Sequence, residues 1–114
     1  MLIDSHAHLN FPELLSDIDG VLARANDAGV EKIICVGTNL EDSKIAIELA
    51  QKYDNLYATV GIHPDSPSAS DWSKFEILAK SPKVIAIGEC GLDYSRPASA
   101  QGSGRARQKE IFEK

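Results

Sequence analysis

This chain has little that would commit it to a membrane, a disulfide scaffold or a basic nucleic-acid groove. Its apolar runs are a handful of residues long, whereas a membrane-spanning helix needs about 20. The first ten residues carry Asp4, His6 and His8 where a secretory leader needs a basic patch and then an apolar stretch, so no signal peptide is read and the cytoplasm is the expected compartment. Only two cysteines are present, Cys35 and Cys90; they make no disulfide framework and are expected as reduced thiols packed in the core. Twelve Lys and Arg against 17 Asp and Glu leave a formal net charge of -5, which argues against a grip on nucleic acid built from a basic surface. A polyanionic substrate would have to be neutralised locally. Histidine is also scarce, at three residues, yet two of them, His6 and His8, stand two apart directly behind an apolar start.

What is present is a regular alternation of strand-like and helix-like segments in 114 residues that are 43% hydrophobic and 25% charged, the composition of one ordinary soluble domain or part of one. A first strand is expected over residues 2–6. Leu14, Leu15, Ile18, Val21, Leu22, Ala25 and Ala28 then recur at three- and four-residue steps, one face of a helix that Gly29 ends. A β-branched run over 32–36 gives the second strand. Asn39 can cap the next helix, with Glu41 and Asp42 at the positive end of its dipole and Ile45, Ala46, Leu49 and Ala50 as its buried stripe. Residues 56–62 form the third strand. Ser70 or Asp71 can open a helix carrying Trp72, Phe75, Leu78 and Ala79, which Ser81-Pro82 closes because the residue before proline avoids helical geometry. Residues 84–88 form the fourth strand, 95–105 a turn-rich loop, and the remainder the first turns of a further helix.

Strands separated by helices imply parallel pairing through right-handed crossovers, with a sheet buried on both faces. Two α/β architectures satisfy this: a doubly wound open sheet, or the first four strand-helix units of a (β/α)8 TIM-type barrel. In either, function gathers where strands end. His6 and His8 end the first strand, Gly37, Thr38 and Asn39 the second, "GIHP" (61–64) the third and "GECGLDY" (88–94) the fourth.

Side chains alternate along a strand, so Asp4, His6 and His8 are expected on one face, where two imidazoles can reach a single divalent cation at about 2.0–2.1 Å. Such a pair also fits hydrogen-bonded surface histidines. Glu89, directly after the apolar run "VIAIG", is costly there unless a cation or hydrogen bonds compensate it, a salt bridge to Lys or Arg being the plainer alternative. His63 fits a loop histidine as well as a functional one. Asp93 fits a turn former. Cys90 could ligate a soft metal, but alternation past Glu89 directs it into packing.

Three stretches, "IDSHAHL" (3–9), "VGIHP" (60–64) and "AIGECGLDY" (86–94), in this order and at these separations, resemble the TatD family of metal-dependent deoxyribonucleases, within the amidohydrolase-like barrels. "RQKEIFEK" (107–114) resembles the start of the family's helix after strand four. The resemblance implies a (β/α)8 barrel of which residues 1–114 are the N-terminal portion. It implies His6, His8 and Glu89 as metal ligands, with Glu89 also catalytic, and His63 beside the substrate phosphate. The cofactor is then one or two divalent ions, Mg2+, Zn2+ or Mn2+. The substrate is DNA, as single strands or frayed ends, cleaved at phosphodiester bonds by metal-activated water. Asp93 carries over only as an outer-shell or loop-forming residue.

Two departures stand out. The family's "GIHPH" reads "GIHPD" here, with Asp65 in place of a histidine. Members are about twice as long, and their further ligands, two histidines and an aspartate, would lie beyond Lys114. A truncated half-barrel that binds metal through His6, His8 and Glu89 without turnover is therefore one alternative. Its uncovered strand edges would favour self-association. A related amidohydrolase, such as an aminoacyl-tRNA deacylase, is another.

Overall fold

The structure, a computed structural model, describes residues 1–66, 72–95 and 104–114. Four strands, β1 (Leu2–Ala7), β2 (Val30–Cys35), β3 (Leu56–Val60) and β4 (Val84–Ile87), form one sheet in the order β1-β2-β3-β4, with each neighbouring pair parallel. The order follows the chain without reversal. Among the described residues the strands show no switch point of the kind at which a doubly wound sheet turns back, and their order is the progression of a barrel.

The helices are α1 (Pro12–Leu15), α2 (Ile18–Asp27), α3 (Leu40–Lys52), α4 (Trp72–Ala79) and α5 (Arg105–Phe112). The expected single helix before Gly29 is in fact two. Asp17 leaves helical geometry at φ -132°, ψ 42°, and its carboxylate accepts from the Arg24 guanidinium at 3.2 Å. Gly29 ends α2 at φ +83°, a conformation costly for any residue with a Cβ. Asn39 caps α3 as expected, its side-chain oxygen accepting the Asp42 N–H at 3.0 Å. The proposed openers of α4, Ser70 and Asp71, lie outside the described residues, as does most of the 95–105 loop.

Parallel register puts Ile33 beside Leu56 and Cys35 beside Ala58, and these residues, with Val60, form the sheet's contribution to the core. Leu22 of α2, Ala46, Ile47, Leu49 and Ala50 of α3 and Phe75 of α4 pack into the same cluster. The expectation of burial on both faces holds for β3 and fails for the outer strands. Leu2 and Ile3 are 59% and 55% exposed in β1, and Ile85 and Ile87 are 51% and 67% exposed in β4. Each of these strands has a neighbour on one side only, which leaves its outer edge and much of its apolar surface open. No helix among the described residues is long and apolar enough to cross a membrane.

Candidate metal centre

The strand ends deliver their side chains to one rim, and His6, His8 and Glu89 meet there with one donor atom each, all within 4.8 Å of one another. His6 Nε2 and His8 Nε2 are 3.3 Å apart. Glu89 Oε2 lies 3.5 Å from His6 Nε2 and 3.7 Å from His8 Nε2. These separations exceed the usual 2.7–3.2 Å of a strong N–H···O bond. Two donors about 2.0–2.1 Å from a tetrahedral ion stand about 3.3 Å apart, so the donor set fits a shared divalent cation.

Hydrogen bonds to the backbone fix what each imidazole can do. His8 Nδ1 lies 3.2 Å from the Val36 carbonyl oxygen, which can only accept, so the ring proton sits on Nδ1 and the Nε2 lone pair faces Glu89. A ring so oriented is a ready metal ligand. Phe11 stacks on the same ring, centroids 4.6 Å apart and planes within 13°. His63 is set the other way. The Asp65 backbone N–H donates to His63 Nδ1 at 3.0 Å, leaving Nε2 to carry the proton, 3.5 Å from Glu89 Oε1. His63 therefore presents a neutral N–H donor beside the cluster, and its backbone is tied to β2's exit by its own N–H to the Thr38 carbonyl at 2.8 Å.

Glu89 follows a cis Gly88-Glu89 peptide and is held by its N–H to the Gly37 carbonyl at 2.7 Å. Gly61 lets β3 pass close to this turn: a Cβ there would lie 2.6 Å from the Glu89 and Gly88 carbonyl oxygens. Among the described residues Glu89 pairs with the three histidines and with no Lys or Arg, the plainer alternative for it.

Two expectations need correction, and a third, for Asp93, holds. Asp4 does not join the histidines, because a register shift between Asp4 and Ala7 interrupts the alternation and its carboxylate turns back to accept the His6 N–H at 3.0 Å. Cys90 is exposed, while Cys35 is buried as expected with its thiol donating to Asn10 Oδ1 at 3.3 Å. Strand alternation no longer governs Cys90 once β4 has ended at Ile87; the residue lines an apolar cavity of about 410 Å³ with Trp72, Phe75 and Ile111. Asp93 is loop-forming, accepting from the Ser95 N–H and hydroxyl at 2.9 and 2.5 Å, and its own backbone is paired with the Gln108 side chain. One contributor is invisible in the motifs. Thr59, only 7% exposed, links the loops beneath Glu89, and its signal in the sequence is an aliphatic hydroxyl among the apolar residues Leu56, Ala58 and Val60 of its strand.

A parallel barrel-type sheet with a histidine and carboxylate cluster at the carboxyl ends of its strands is the setting in which a barrel protein can hold a divalent ion. The chain belongs to the TatD family: the model described as TatD related DNase matches residues 3–114. It is 40% identical over 114 residues to the 3'-5' ssDNA/RNA exonuclease TatD of Salmonella typhimurium, covering 96% of this chain and 44% of that protein. It is 37% identical over 115 residues to the uncharacterized metal-dependent hydrolase YabD of Bacillus subtilis, covering 98% of this chain and 44% of that one. Among solved structures, the TatD homologue YjjV of Escherichia coli superposes with a TM-score of 0.83 at 32% identity, over 98% of this chain and 44% of that chain. A TatD family hydrolase of Entamoeba histolytica gives 0.84 at 31%, over 98% and 43%. The chain thus spans less than half the length of these relatives.

Proposed function

We propose that this rim serves metal-dependent hydrolysis of phosphodiester bonds in single-stranded nucleic acid, DNA foremost, as the N-terminal portion of a single barrel. The observation that carries the reading is the convergence of His6, His8 and Glu89, with the His8 lone pair already aimed at the shared point. A bound divalent ion, Mg2+, Zn2+ or Mn2+ and one or two in number, would supply a nucleophilic water at neutral pH and neutralise phosphoryl oxygens.

The chain's own groups divide the remaining work. His6 and His8 offer neutral nitrogen ligands. Glu89 offers one oxygen toward that pair and turns the other to His63, which suits it to hold charge at the reacting centre and to accept a proton there. His63, with its Nδ1 occupied by the Asp65 N–H, would donate from Nε2 to a phosphate oxygen. Local neutralisation of this kind answers the net charge of -5, which offers no general attraction to a polyanion. The names of the relatives, single-stranded DNA and RNA exonucleases, support the substrate class. Free thiols at Cys35 and Cys90 agree with a reducing, cytoplasmic setting.

The test is cleavage of an end-labelled single-stranded DNA oligonucleotide and its blunt duplex, with Mg2+ or Mn2+ and with chelator, read as metal dependence and strand preference. Metal-dependent loss of the single strand by the complete barrel, abolished in Glu89→Gln, is expected. Metal bound with neither substrate cleaved would overturn the reading in favour of a metal-holding half-barrel without turnover.

We further propose that the chain on its own self-associates through β1 and β4. Both outer strands present an unpaired edge of the same polarity, and the exposed apolar residues Leu2, Ile3, Ile85 and Ile87 lie on them, so a second copy can extend the sheet in the sense that already relates β1 to β2.

A further inference from the structure

We propose that Thr59 is a positioning residue for Glu89, acting as a latch that joins the ends of three strands under the carboxylate. The inference rests on the reading of the rim as metal-binding. Thr59 Oγ1 accepts the Gly37 N–H at 3.3 Å and donates to the Gly88 carbonyl at 2.6 Å. Gly37 in turn accepts the Glu89 N–H at 2.7 Å, and the Gly88 N–H donates to Val60 at 2.9 Å. The hydroxyl is thus one corner of a closed circuit, from Thr59 to Gly88, through the peptide to Glu89, across to Gly37 and back.

Only a hydroxyl does this. It must donate to one backbone group and accept from another in a place that is 7% exposed, where water offers little replacement. Space at the circuit is tight as well: a Cβ on Gly37 would stand 2.9 Å from the Thr59 carbonyl oxygen. Valine keeps the shape of threonine but leaves the Gly37 N–H and the Gly88 carbonyl each short of a partner. Those two groups sit on either side of Glu89, so their relaxation moves the carboxylate relative to His6 and His8. Loss of a group that orients a ligand costs roughly 10- to 100-fold in metal affinity.

The experiment is titration of Mn2+ alone into the wild-type chain, Thr59→Val, Thr59→Ser, Glu89→Ala and the Thr59→Val/Glu89→Ala pair, followed by electron paramagnetic resonance, with the melting temperature of each. The expected result is affinity at least roughly ten-fold weaker in Thr59→Val, restored in Thr59→Ser, with no further loss when Thr59→Val is added to Glu89→Ala. Thr59→Ser carries the comparison should the valine variant fail to fold: a serine chain that melts lower but binds and displays Mn2+ as wild type does is the expected pattern. Wild-type affinity in folded Thr59→Val, or equal further loss in the Glu89→Ala background, would overturn the latch and leave the site standing. Binding unchanged in a His6→Ala/His8→Ala control would remove the site, and the latch with it.

Discussion

His8 Nδ1 stands 3.2 Å from the carbonyl oxygen of Val36, so a ligand carried by β1 takes its orientation from the end of β2. Phe11, at the start of α1, closes on the same ring from the side at a centroid distance of 4.6 Å. Stacking of this kind contributes about 0.5–1.5 kcal/mol beyond area burial. Phe11→Ala is therefore expected to weaken Mn2+ or Zn2+ binding several-fold with a loss of roughly 1 kcal/mol in stability, measured by calorimetric titration and chemical unfolding. Affinity equal to wild type would mean that the Val36 contact holds the ring unaided.

The two cysteines should differ sharply. Cys90 is exposed and Cys35 is buried, with burial pushing its thiol pKa above the ordinary 9.0. A thiol reagent at neutral pH is expected to label one cysteine rapidly, to lose that rapid phase in Cys90→Ser, and to reach Cys35 only on unfolding. The raised folded-state value favours the protonated thiol in the native chain. That contribution to stability is present in full below 9.0 and is lost as pH rises from there through the folded value. Melting temperature should fall above pH 9, less steeply in Cys35→Ala than in wild type.

The proposed self-association through the uncovered edges has a direct readout. The weight-average mass of the chain in sedimentation equilibrium is expected to rise with concentration. Ile3→Lys and Ile85→Lys together should shift it toward the monomer, because a charge on each outer strand opposes pairing while both positions are more than half exposed already. A wild-type monomer at every concentration would contradict the proposal.

The rim was legible because its chemistry is carried by side chains at strand ends. His6 and His8 at alternate positions, His63 in "GIHP" and Glu89 after "VIAIG" each announce themselves, and parallel topology collects them. Their division of labour was not legible. It depends on backbone groups, the Val36 carbonyl for His8 and the Asp65 N–H for His63, which carry no side-chain signature. Asp65 illustrates the point, since the contact it makes to His63 Nδ1 comes from its main chain. Helix stripes placed α3 correctly because Asn39 both looks and acts like a cap, whereas the break at Asp17 is a local change of backbone angles that apolar periodicity does not register. Period-two alternation misplaced Asp4 at a register shift and Cys90 beyond the end of its strand. Burial of the outer strands depends on neighbours, which the apolar pattern of β4 cannot supply.

The most direct test of the shared-ion claim is calorimetric titration of Zn2+ or Mn2+ into the wild-type chain and into His6→Ala/His8→Ala. The wild type is predicted to bind at a defined site, and the double variant to lose more than the roughly 10- to 100-fold that removal of an orienting partner costs. An Asp93→Ala control should bind as wild type, because Asp93 is engaged with Ser95. Equal metal affinity in the wild type and the double histidine variant would contradict the account.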